Sequence, residues 1–244
     1  MLKRLLLCAI LVALTGCASA PATRGAGVPG QPPRVLIIGD AISMGVGALG
    51  ADTDCALGPD TNSLAAAYGV RIANTLDTDY EIIARPEIGL VRNYSGLVED
   101  TLSQRLQNRE QRRLLDAAGP MQLVLVNIGT HDFHQYDATA AFVPAMEDLL
   151  TMLAGRYPEA TIYALTGPML GGTEAELHNM AVQTAVDTVN ARLGTRIRYL
   201  PLNGGDPEIA LGCAWHPSIY AHEHMAQMIL NDMAHTNAPA PPEQ

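Results

Sequence analysis

Lysine is almost missing from this sequence: of the 15 basic residues among 244, only Lys3 is a lysine. Basic charge is scarce as a whole. Asp and Glu number 25, which gives a formal net charge of −10. A nucleic-acid binder needs a basic face, so that class is excluded. Cysteine is scarce too. Cys8, Cys17, Cys55 and Cys213 are too few for a disulfide scaffold and lack the spacing of a zinc site. The longest apolar run, Leu5 to Leu14, stops at ten residues, whereas a membrane-crossing helix needs about 20. Tryptophan occurs once, as Trp215. What is present is apolar: 48% of residues are hydrophobic and 16% charged. That is enough for a full core and excludes a disordered chain. The length suits one globular domain, or at most two small ones.

Lys3 and Arg4 precede the apolar run, as in the n-region of a secretory signal. The run ends in Leu14-Thr15-Gly16-Cys17, which resembles the bacterial lipobox, where the cysteine is acylated and becomes the new N-terminus. A plain signal peptide with a chance cysteine is the other reading. Ala18, not Asp, follows Cys17; by resemblance to Gram-negative lipoproteins this implies the outer membrane, facing the periplasm. The expected organisation is a leader over 1–16, lipidated Cys17 and an Ala/Gly/Pro-rich tether over 17–33, one domain over 34–235, and a disordered tail over 236–244. Membrane contact is then made by lipid on Cys17, with no polybasic stretch beside it.

Within the domain, Val35–Ile38, Tyr80–Ala84 and Leu123–Ile128 are apolar runs rich in β-branched residues, with weaker runs at Thr161–Leu165 and Arg196–Leu200. Runs of this length predict strands buried on both faces. Helical spacing of apolar residues covers Leu64–Leu76, Phe142–Leu153, Glu174–Leu193 and Ile219–Met233. Strands alternating with helices predict a three-layer α/β/α domain of about five parallel strands, with its active crevice at the strands' carboxyl ends.

Three of those ends carry recognisable blocks. Val35-Leu36-Ile37-Ile38-Gly39-Asp40-Ala41, Asn127-Ile128-Gly129-Thr130-His131-Asp132-Phe133 and Gly212-Cys213-Ala214-Trp215-His216-Pro217 resemble, in order, the three blocks of the SGNH (GDSL-type) hydrolases. Further stretches, from AAYGVRIANTL through GLVRNY to GCAWHPSIYAHEHMA, are similar to the catalytic domain of carbohydrate esterase family 2. The resemblance runs from about Val35 to Met228. It implies the flavodoxin-like SGNH fold and a polysaccharide O-deacetylase ancestry.

Carried over residue by residue, the family's machinery breaks. The nucleophile serine falls on Ala41, which has no hydroxyl. The oxyanion glycine falls on Glu87 and the oxyanion asparagine on His131. The general-base histidine falls on His216 and is kept. Ser43 lies two residues past the nucleophile turn, where its hydroxyl is expected to point elsewhere. The replaced residues admit three readings. Glu87, His131 and His216 form a two-His-one-carboxylate set able to hold a divalent metal, with Asp40 or His134 near; or Glu87 and His131 simply pair and fill the vacated hole; or the pocket stands open to solvent. Asp40 and Trp215 are candidate substrate contacts. Trp215 serves as a sugar-stacking platform or packs in the core. His222 is read as a structural hydrogen-bonder, and His134, His178 and His235 as surface residues.

Cys8 leaves with the leader and Cys17 carries lipid, so Cys55 and Cys213 remain in an oxidising compartment. They bridge if their loops crown the same strand ends; otherwise they are buried free thiols. The expected function is a lipid-anchored cell-envelope protein, catalytically degenerate, that binds an acetylated polysaccharide or an envelope protein. The alternative is an active esterase with a rearranged, metal-free or metal-dependent, site.

Overall fold

The structure, a computed structural model, describes residues 34–108, 115, 119–195 and 197–237. The leader, Cys17 and the tether therefore lie outside the described residues, as does the tail from residue 238 onward.

Five strands form one sheet: β1 (Arg34–Gly39), β2 (Asp79–Ala84), β3 (Leu123–Asn127), β4 (Thr161–Thr166) and β5 (Arg198–Pro201). All pair in parallel, in the order β2-β1-β3-β4-β5. Between and after them run α1 (Tyr68–Thr75), α2 (Leu102–Gln107), the one-turn α3 (Thr130–Phe133), α4 (Thr139–Arg156), α5 (Gly172–Leu193) and α6 (Ile219–Asn237).

Alternation along β1 builds the three layers. Leu36 and Ile38 face one core, shared with Val124 and Val126 and covered by α2, α4 and α5 through residues such as Leu106, Phe142 and Val186. Val35 and Ile37 face the other, shared with Leu125 and Tyr163 and covered by α1 and α6 through Ile72 and Ile229. Because both faces are covered, the central strands read as continuous apolar runs. The expected α/β fold is thus present.

Three expectations need adjusting. β2 and β5 are the sheet's edges and are partly exposed, so burial on both faces holds only for the inner strands. The predicted helix over Leu64–Leu76 breaks at Ala67, which is extended at φ −60° and ψ 139°. A short 3-10 turn, Leu64–Ala66, capped by Ser63, precedes it. The break frees the Tyr68 N–H to donate to His222 Nδ1 at 3.3 Å, a bond that a continuous helix would replace with an internal one. Finally, α6 runs to Asn237, two residues past the expected domain end.

Candidate active site

The strand order reverses between β1 and β3, and this switch point is where parallel sheets place their ligands. Asp40 and Ala41 follow β1 there. Asp40 is fully buried and its Oδ1 accepts the Ile42 N–H at 3.0 Å. Burial pushes its carboxyl up to about 7. It holds the turn and has no exposed surface, which corrects its assignment as a substrate contact. Ala41 opens a 3-10 turn over Ile42–Met44 and is 4% exposed. Ser43 is fully buried, with its Oγ 3.2 Å from the Tyr68 hydroxyl. It faces back into the α1 side of the sheet and offers no nucleophile.

The loop after β2 carries Glu87. Its φ is 64°, a left-handed conformation that favours glycine, which accounts for a glycine in the resembling family. The exposed Glu87 side chain replaces a hydrogen, but the backbone N–H of this position survives. Among the described residues neither the Ala41 nor the Glu87 N–H is paired with an acceptor. The replacement at 87 therefore leaves that backbone donor in place, unlike the loss of the serine hydroxyl.

Asp132 shapes the same loop. Its Oδ2 accepts the Leu90 N–H at 2.8 Å, and its Oδ1 accepts those of Val91 and Arg92 at 2.7 and 2.9 Å. Burial outweighs these bonds and moves its carboxyl up to about 6. Asn93 ties the loop further, accepting from Gly89 N–H and donating to Glu99 O. The result is to thrust Tyr94 outward, 56% exposed. Its ring meets His131 edge-on at 5.5 Å and stacks on His134 at 5.6 Å.

His131 sits on α3, nearly buried, with Nε2 unpartnered. Burial first, then the nearby His216 and His134, push it down to about 4, so it is neutral at pH 7. The expected Glu87–His131 hydrogen bond is not formed. Among the described residues no three His, Cys, Asp or Glu side chains are grouped to hold a metal. The Glu87–His131–His216 ligand set is therefore not assembled.

His216 keeps the geometry of a base. Its Nδ1 lies 3.2 Å from Cys213 O and 3.1 Å from Ala214 O. Carbonyls only accept, so Nδ1 holds the proton and Nε2 presents its lone pair. Burial lowers the imidazole's affinity for a second proton. The surrounding loop is tightly held. Ala214 and Trp215 both have positive φ, 49° and 64°. Cys213 N–H donates to Gly47 O at 3.0 Å and Ala214 N–H to Thr53 O at 3.1 Å. A disulfide joins Cys213 to Cys55, with Cα atoms 4.9 Å apart, so the bridge and not the free-thiol reading describes this pair. This backbone path turns Trp215 outward, 64% exposed, and rules out core packing for it.

The other histidines divide. His222 is buried and structural, as expected, and burial pushes it down to about 3. His178 is not at the surface: it is 1% exposed, bonded to Ile128 O at 3.1 Å and stacked on Phe133. It heads the buried stripe Ala181, Val182, Ala185, Val186 and Val189 on α5, and that spacing was the available signal. His134 is half-exposed, 3.8 Å from Glu174. Tyr94 and Tyr136, the latter under the Arg92 guanidinium at 4.3 Å, escaped sequence reasoning as part of the site's rim.

Comparison with known proteins agrees with this geometry, although no family model matches the chain. A structure of a family two carbohydrate esterase from Clostridium thermocellum, in complex with cellohexaose, superposes with a TM-score of 0.77 at 26% identity, over 86% of this chain and 66% of that one. The chain has the SGNH-hydrolase fold of the family 2 carbohydrate esterases. The cellulase/esterase CelE of Acetivibrio thermocellus is 29% identical over 201 residues, 80% of this chain but 25% of CelE. The acetylxylan esterase/glucomannan deacetylase of Cellvibrio japonicus is 22% identical over 231 residues, 87% of this chain and 62% of that protein. The chain thus spans only part of the curated relatives it matches.

Proposed function

We propose that this chain is a glycan-binding protein of the bacterial cell envelope, held by lipid on Cys17, whose esterase scaffold has lost covalent catalysis. The observation that carries the reading is the nucleophile position. Ala41 offers no hydroxyl, and Ser43, the nearest substitute in sequence, is buried against Tyr68. Removing a nucleophile from such a site leaves only residual effects of binding and the oxyanion donors. Glycan binding is supported by the exposed rings of Trp215 and Tyr94 at the site, which suit the apolar faces of sugars, and by the cellohexaose bound to the similar esterase. An envelope protein as partner is the other occupant of the same cleft.

A second reading rests on His216 and the unspent N–H groups of Ala41 and Glu87. His216 Nε2 takes a proton from water, the resulting hydroxide adds to an ester carbonyl, and the two N–H groups hold the oxyanion. Collapse expels the sugar alkoxide, which takes the proton back from His216, and acetic acid leaves and gives its own proton to solvent. Hydrolysis of 4-nitrophenyl acetate and acetylated xylan separates the readings. Wild type is expected at background, with activity gained by Ala41→Ser/His131→Asn and lost again on adding His216→Ala. Strong wild-type turnover abolished by His216→Ala alone overturns degeneracy in favour of direct water attack.

A further inference from the structure

Beside the site, over the carboxyl ends of β4 and β5, lies a cleft of about 370 Å³ that the chemistry above does not use. That volume is in the range of small-ligand pockets. We infer that this cleft is a second saccharide subsite, taking an uncharged sugar unit of the glycan whose other end meets Trp215; this rests on the glycan-binding reading.

The lining chemistry selects the ligand class. Every lining side chain is Thr, Asn, Pro, Leu, Ala or His178, with glycine backbone between them. His178 is neutral at pH 7, since burial pushes it down to about 4. No lining group can therefore neutralise a charge, and burying an unpaired charge is costly. Asp206 and Glu208 flank the lining residue Pro207, which further disfavours an anion. Two amides supply directed polarity. The Thr166 hydroxyl donates to Asn179 Oδ1 at 2.6 Å, and Gly205 N–H donates to Asn203 Oδ1 at 3.0 Å. Each bond fixes an amide and leaves its Nδ2 without a protein acceptor among the described residues. Leu202 and Ala210 are buried beneath. Amide donors above an apolar floor match a sugar ring, which has hydroxyls at its edge and C–H groups on its faces.

Position links the cleft to the site. Ala41 and His131 follow β1 and β3, and β4 pairs with β3. Adjacent strands are about 4.8 Å apart, so one extended glycan can cover both. One wall is also shared: Ser218 N–H donates to Ala210 O at 2.8 Å, and Leu211 bridges Pro217, the residue after His216.

Titration with cellohexaose, followed by NMR of the Asn179 and Asn203 side-chain amides and the Trp215 indole, tests this directly. All three signals are expected to shift. Asn179→Leu/Asn203→Leu should weaken binding about tenfold, the loss of two hydrogen bonds, while the Trp215 shift at saturation persists. Trigalacturonate, an acidic comparator, should bind at least about tenfold more weakly than cellotriose. Shifts at Trp215 with both asparagines silent, or unchanged affinity in the double variant, overturn the subsite and leave glycan binding standing. Equal affinity for trigalacturonate overturns the uncharged class. Silence of all three signals overturns both readings together.

Discussion

Ser43 and Ala41 differ by two positions but by everything that matters to catalysis. Ser43 is locked by Tyr68 within the α1 side of the core, so its role is structural. Ser43→Ala should cost about 1 kcal/mol, the net worth of a hydrogen bond, in urea unfolding, and leave any ester hydrolysis unchanged. Loss of hydrolysis in that variant would identify Ser43 as a nucleophile. His178 makes a prediction of opposite kind. Burial pushes it down to about 4, below the ordinary histidine value of 6.5. The unfolded chain therefore takes up a proton first, and the His178 contribution to stability is whole above pH 6.5 and drains away as pH falls towards 4. A His178→Phe variant lacks this drain. Its stability deficit against wild type should shrink by roughly 3 kcal/mol between pH 7.5 and pH 4, read from urea midpoints. A constant deficit would show that His178 titrates normally. In sequence a lone polar residue points to the surface, and only the apolar stripe that His178 heads shows otherwise. For Glu87 the missing quantity was its φ. Side-chain identity does not reveal a left-handed backbone, and only the family's glycine hinted at it.

At the level of elements, the inner strands were legible because a strand covered on both sides has no polar face to interrupt the run. The edges β2 and β5 look equally buried in sequence because apolar content does not say which strands stand in the middle. The break at Ala67 was illegible for another reason: its partner, His222, is 154 residues away. Short α2 carries just two buried residues, Leu102 and Leu106, too few to show a period. Two loops can be tested as units. Asp132→Ala strands three backbone donors between Leu90 and Arg92 and should cost about 2–4 kcal/mol, with hydrogen exchange of those amides accelerated; unchanged exchange would mean that other contacts hold the loop. The Cys55–Cys213 bridge spans 158 residues. Replacing both cysteines with alanine should destabilise by about 2–5 kcal/mol, seen as a lower Tm that reductant no longer shifts. A Tm equal to oxidised wild type would show that the remaining loop bonds suffice.

Across the whole molecule, acidic residues outnumber basic ones by 25 to 15, and self-repulsion weakens the compact state. Raising salt from about 10 to 200 mM screens it and should raise the Tm by about 2–4 °C; a fall would point instead to favourable surface ion pairs. Topology was the most legible property at this scale, since alternating runs and helices permit few arrangements. The site was legible as a place, at the strands' carboxyl ends, and as a list of replaced groups. Which of those groups still touch was not, because it depends on loops whose paths are set by distant bonds. Strand β1 also fixes an orientation. It runs from Arg34 towards Ala41, so the chain enters at the pole opposite the cleft. Arg34 and the cleft thus stand at opposite ends of the sheet, so contact made at the Arg34 pole leaves the mouth of the cleft free.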